Sequence, residues 1–131
     1  MKCISIKQPY AHLIATEKKR YEIRTWRTHY RGPLIVASSQ NKLNDPKMPG
    51  GVLICLVNLI DVVPFTPRLE SKACCKIDPD KIEWAWELEV ITQLLPVKIK
   101  GKLGLYELPQ LEHNYCNDYE LTRLIKSAKG S

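Results

Sequence analysis

The chain has 131 residues, 44% of them apolar and 26% charged, with six Gly and nine Pro. That is one domain's worth of sequence, enough to bury a core without disulfides or metal, and it excludes collagen, coiled coil and a disordered polymer. The formal charge is +6, and the surplus lies early: residues 1–35 hold eight bases (Lys2, Lys7, Lys18, Lys19, Arg20, Arg24, Arg27 and Arg31) against Glu17 and Glu22, whereas residues 36–131 hold twelve of each sign. Such a local excess predicts a positive patch and a polyanionic partner, or else a solvated basic face that serves solubility. The longest apolar run, Val52 to Val63, is broken by Asn58 and Asp61 and falls short of the roughly 20 residues a membrane helix needs. Lys7, Gln8 and Pro9 interrupt any signal-peptide core, so neither membrane segment nor leader is expected.

Taken in chain order, Lys2 to Ile6 alternates as a short strand. Pro9 suits the first position of a helix, and Tyr10, Leu13 and Ile14 share one of its faces, with an end near Thr16. Tyr21 to Trp26 reads as a strand with Glu22, Arg24 and Trp26 on one face and Tyr21, Ile23 and Thr25 on the other. Arg31-Gly32-Pro33 is a turn, Leu34 to Ser38 a strand, and Asn41 to Gly51 a loop. Val52 to Val63, rich in β-branched residues, reads as a central strand buried on both sides. A short helix is expected around Arg68 to Cys75. Glu83 to Val90 alternates cleanly, with Trp84, Trp86, Leu88 and Val90 inward. Leu94 to Ile99 and Leu103 to Leu108 read as two further strands. Asn117 and Glu120 resemble a capping box ahead of a C-terminal helix whose apolar face is Leu121, Leu124, Ile125 and Ala128.

These elements predict an α+β, mainly β, single domain over residues 1–131: a small barrel of six or seven strands with a short helix after the first strand and another at the C-terminus. Side chains fill so small a barrel, which places any ligand at its mouth or in a cleft beside a helix. The five cysteines (Cys3, Cys55, Cys74, Cys75 and Cys116) form no CxxC motif and no Cys/His pair at zinc spacing. A reducing, cytoplasmic compartment with free thiols is expected, and neither metal nor cofactor. The adjacent Cys74 and Cys75 read as two free thiols, since a vicinal disulfide is strained.

The informative residues run from Gln8 to Ser38. Gln8-Pro9-Tyr10, then Lys19-x-x-Glu22-x-Arg24, Thr25-Trp26, Tyr30-Arg31-Gly32-Pro33-Leu34 and Ala37-Ser38 follow one another in an order that resembles the ASCH (activating signal cointegrator homology) domain of the PUA-like superfamily. The family motif G-x-K-x-x-E-x-R aligns on residues 17–24. Trp84 or Trp86 and Gly101-Lys102-Leu103-Gly104-Leu105 also resemble its closing strands, so the similarity spans about residues 4–108. The resemblance implies a PUA-like β-barrel with a cleft beside the first helix, suspected in that family to bind RNA or nucleotides. One departure is that Glu17 stands where the motif has Gly. A glycine there permits a tight turn or close backbone approach, and Glu17 adds a side chain and a negative charge.

The residues themselves point the same way. Lys18, Lys19, Arg24, Arg27 and Arg31 supply phosphate-neutralising charge, and Trp26 and Tyr30 supply flat surfaces for stacking; together they suit RNA with unstacked bases. Gln8, Glu22 and Ser38 are expected to shape the cleft. At i and i+2 on one strand face, Glu22 and Arg24 either converge on a ligand or form a structural ion pair. An RNA or nucleotide partner is therefore the expectation. The resemblance also carries an alternative, because some family members resemble small amidohydrolases acting on acylated nucleosides with a Lys, a Thr nucleophile and a Glu. Lys19 matches the Lys, yet Glu22 occupies the Thr position, so a catalytic reading rests on Lys19 and Glu22 without the nucleophile. A third alternative is a protein-interaction adaptor. Lys98, Lys100 and Lys102 either extend the basic surface or protect an edge strand. His12, His29 and His113 are scattered and match no catalytic motif.

Overall fold

A computed structural model describes residues 1–108. The elements run β1 (Lys2–Ile6), α1 (Tyr10–Ala15), β2 (Tyr21–Arg24), β3 (Gly32–Ser38), β4 (Leu53–Pro64), a 3-10 turn (Pro67–Leu69) leading into α2 (Glu70–Ala73), β5 (Trp84–Gln93) and β6 (Leu105–Glu107). All six strands join one sheet in the order β2-β5-β4-β3-β1-β6, curled into a half-barrel. β1 runs parallel to β3, in register Cys3 to Ile35 through Ile6 to Ser38, and every other pairing is antiparallel. No helix among the described residues is long and apolar enough to cross a membrane.

Strand alternation sorts the core into two clusters. Cys3, Ile35, Ala37, Leu53 and Leu56 pack with Leu94, Ile99, Tyr106 and Leu108. Their neighbours in sequence, Ile4, Ile6, Leu34, Val36, Cys55, Val57 and Leu59, point the other way and pack with Ala11 and Ile14 of α1 and with Trp86 and Leu88 of β5. The inward tryptophan face expected for β5 is thus present. Trp86 is fully buried, its ring meets Trp26 edge-on at 4.9 Å and its indole N–H donates to the Trp26 carbonyl at 3.3 Å.

Several boundaries differ from the sequence expectation. β3 starts at Gly32, so Gly32 and Pro33 belong to the strand rather than to a turn, and β5 runs on to Gln93. β4 is buried only as far as Leu59, because β3 pairs with it no further than Gly32 to Leu59 and leaves Ile60 onward with β5 as its one neighbour. Leu94 to Ile99 is not a strand: Pro96 has no N–H to give, and only Lys98 bridges, to Val52. Its lysines therefore protect no strand edge. β2 ends at Arg24 rather than Trp26. β6 starts at Leu105, after Gly104 turns the chain at φ +68°. The expected C-terminal helix, with His113 and Cys116, lies outside the described residues.

Candidate functional site

The edge strands of the half-barrel are β2 and β6, β6 pairs with β1 only as far as Ile4, and a cleft of about 780 Å³ lies at the seam between β2 and the end of β1. Its first wall comes from β1 and the end of β3, with Ser5, Ile6, Ser38 and Ser39; the facing wall comes from Lys19 to Trp26. Loop residues Gln40 and Gly51 and the segment Gly101 to Gly104 close its ends.

Lys19 reaches the cleft because of how α1 stops. The Glu17, Lys18 and Lys19 N–H groups donate back to the carbonyls of Ile14, Leu13 and Leu13, each at 3.0 Å, with Glu17 at φ +65°. That is the left-handed conformation glycine adopts without steric cost. Glu17 makes this turn under strain. The chain then runs past the end of α2, whose last carbonyls have no partner inside the helix. The Arg20 N–H donates to the Lys72 carbonyl at 2.6 Å, the Lys19 ammonium to the Ala73 carbonyl, and the Cys74 thiol to the Lys18 carbonyl at 3.4 Å. Lys19 is left 2% exposed, with Nζ 5.0 Å from the centre of the Tyr10 ring and 3.7 Å from Glu22 Oε1.

Glu22 and Arg24 project together from β2, as their i, i+2 spacing predicts. Arg24 donates through Nε at 3.1 Å and Nη2 at 2.9 Å to Glu22 Oε2, and through Nη2 at 3.1 Å to the Ser5 carbonyl of β1, spanning the seam. Ser38 and Trp26 also line the cleft. The Ser38 hydroxyl accepts from the Val52 N–H at 3.2 Å and donates to the Val52 carbonyl at 3.4 Å. Gln8 sits behind the wall as a brace. Its Oε1 accepts from the His12 N–H at 2.9 Å and its Nε2 donates to the Pro49 carbonyl at 3.1 Å, tying α1 to the loop.

The remaining sequence candidates are not brought to the cleft. Lys18 is exposed and does not line it. Arg27 stacks on Trp84 at 4.7 Å, and the Tyr30 hydroxyl donates to the Pro33 carbonyl. Arg31 donates to the carbonyls of Thr28 and Tyr30 at 2.7 and 2.9 Å and approaches Asp61 at 3.4 Å. In their place stand Lys7, Cys75, Lys81 and Leu103, which sequence reasoning did not gather into the site, together with Glu83 and with Lys102, a lysine expected to extend the basic surface. Gly101 carried a usable signal. A Cβ there would lie 2.8 Å from Ser5 Oγ, so a larger residue at the cleft end would have to displace the Ser5 hydroxyl from the Tyr106 hydroxyl it bonds at 2.6 Å. Burial pushes the Cys75 thiol above its ordinary value, with Lys19 opposing. The lining carries five cations (Lys7, Lys19, Arg24, Lys81 and Lys102) against two carboxylates, Glu22 and Glu83. No cluster of three or more His, Cys, Asp or Glu among the described residues is arranged to hold a metal ion.

Several solved structures share this fold, among them three of one protein. An ASCH protein from Zymomonas mobilis is 15% identical, with a TM-score of 0.67 over 96% of this chain and 93% of that one. Two substitution mutants of the Zymomonas mobilis protein match at 14% identity (TM-score 0.61, covering 82% of this chain and 88% of that one) and at 13% identity (TM-score 0.60, covering 96% and 94%). A comparison with curated proteins finds no match. The family model described as the ASCH domain matches residues 4–98, from within β1 to beyond the end of β5, and takes in the cleft lining from Ser5 to Glu83. On that match the chain belongs to the ASCH domain family, for which RNA binding is generally proposed.

Proposed function

We propose that this chain is a nucleic-acid-binding module whose cleft receives single-stranded RNA or a modified nucleotide, acting in a reducing, cytoplasmic compartment. One observation carries the reading: five cations and two carboxylates share a concave site walled by Trp26 and Tyr10. Phosphate neutralisation supplies affinity there, and the ring surface that lines the cleft supplies sequence-tolerant stacking. The volume, about 780 Å³, is that of a small-ligand site and too small for a duplex. Lys18, Arg27 and Arg31, exposed outside the cleft, add long-range attraction.

The alternative, a hydrolase using Lys19 and Glu22, has less support. A lysine acting as base must offer a lone pair, and the Lys19 ammonium instead donates to the Ala73 carbonyl beside the Glu22 carboxylate. Binding of a labelled single-stranded RNA heptamer, measured across a salt series, tests the proposal. Affinity is expected to fall with a log–log slope of about −0.7 per phosphate held, and Lys7→Ala and Lys102→Ala are each expected to make that slope shallower by about 0.7. A flat salt response would falsify it.

A further inference from the structure

Floor and rim of the cleft carry different kinds of charge. In the floor the cations are already engaged: Arg24 with Glu22 Oε2 and the Ser5 carbonyl, Lys19 with the Ala73 carbonyl. One acceptor there is not. Glu22 is 8% exposed, and its Oε1 receives no hydrogen bond among the described residues, the Lys19 ammonium standing 3.7 Å off. A buried carboxylate oxygen without a donor is costly, and a ligand that brings an N–H removes the cost. At the rim the balance reverses. Lys7 and Lys102 are exposed and have no ion pair among the described residues, and Lys81 has only a 3.8 Å approach to Asp78. Leu103, 99% exposed, stands at the rim beside Lys102.

A phosphate driven to the floor would meet the Glu22 carboxylate with both neighbouring cations already committed. A nucleobase edge offers what the floor lacks, and its phosphates stay outside where the uncommitted lysines are. We infer that the cleft takes one unpaired nucleotide base first, with Glu22 Oε1 accepting from a ring-edge N–H and with Lys7, Lys81 and Lys102 holding the flanking phosphates. This orientation rests on the nucleic-acid reading above. It makes Glu22 a specificity-determining residue: the cleft admits bases with a free edge N–H and rejects bases in which that N–H is methylated. A duplex hides those N–H groups in pairing, so the partner is a single strand or a flipped-out base.

The test uses the full chain and four homopolymeric RNA heptamers. The tightest is compared with its counterpart carrying methyl groups in place of the edge N–H hydrogens (3-methyluridine for uridine, dimethylamino bases for cytidine and adenosine, the trimethylated base for guanosine). The methylated heptamer is expected to bind at least tenfold more weakly. In Glu22→Gln the amide oxygen stays with Arg24 and the NH₂ faces the ligand, so the preference is expected to shrink below threefold. A purely steric preference would survive this substitution unchanged, because Gln and Glu are the same size, and would overturn the assignment. So would equal binding of the two heptamers by the unmutated protein, or tighter binding by Glu22→Gln, the signature of a phosphate in the floor. Failure of all four heptamers to bind removes the nucleic-acid reading itself.

Discussion

The β1–β3 wall of the cleft and the wall that faces it, Lys19 to Trp26, are held by different forces. The first is a parallel ladder from Cys3–Ile35 to Ile6–Ser38 whose side chains fill both core clusters, with Cys3, Ile35 and Ala37 fully buried. The second has a strand neighbour on one side only, β5, and takes its position from polar bonds to other segments: Lys19 and Arg20 to the end of α2, and Arg24 to β1. Apolar burial is spread over many atoms and indifferent to the screening of charge. Beyond its ladder with β5, wall two is tied by a few polar bonds, and those of the Lys19 and Arg24 side chains are each removed by one substitution.

Substitutions that load one wall at a time sharpen the contrast. Ile35→Ala, in the first wall, is expected to cost about 4 kcal/mol through lost transfer energy and a cavity, seen as a lower denaturant midpoint that salt does not restore. Lys19→Met, in the second, keeps the stem but strands Glu22 with one cation fewer. A loss of about 3 kcal/mol is expected, partly recovered in the double variant Lys19→Met/Glu22→Gln. No loss from the single change would mean that packing rather than charge fixes that wall.

Alkaline unfolding loads the buried sheet through two thiols. Burial pushes the Cys3 and Cys55 thiols from 9.0 to about 12. Between those values the folded chain keeps protons the unfolded chain has released, so this contribution is whole below pH 9.0 and is lost as pH rises toward 12. Stability is expected to fall by about 1.4 kcal/mol per pH unit for each thiol inside the window, and Cys3→Ala/Cys55→Ala to flatten the profile measured by chemical unfolding. The smallest effect runs the other way. Glu17→Gly relieves a left-handed residue and is expected to raise stability by about 1 kcal/mol, read as a higher thermal midpoint, with RNA affinity unchanged because Glu17 does not line the cleft.

The apolar wall was legible in the sequence. Alternation in Lys2 to Ile6, Leu34 to Ser38 and Glu83 to Val90 predicts strands at the places where β1, β3 and β5 form, because each buries one side-chain set against another element. The polar wall was legible in part. Lys19, Glu22 and Arg24 stood out through their motif and the i, i+2 spacing, and Trp26 and Ser38 join them. Arg27, Tyr30 and Arg31 share the basic, aromatic composition of that stretch, yet β2 stops at Arg24 and the chain turns away, an event that local pattern does not encode. Cys75, Lys81, Glu83 and Lys102 arrive from distant segments through sheet curvature, which leaves no periodicity to read.

Arg24 bears on how the mouth of the half-barrel is gauged. A sheet edge zipped to another strand yields only when several main-chain bonds part together, whereas β2 is moored to β1 by the guanidinium contact with Ser5. Its calibre is therefore a matter of torsion about the bonds of an arginine, which turns over far faster than a sheet unzips. A guest that drew Arg24 toward itself would release that mooring without parting a single ladder of the fold.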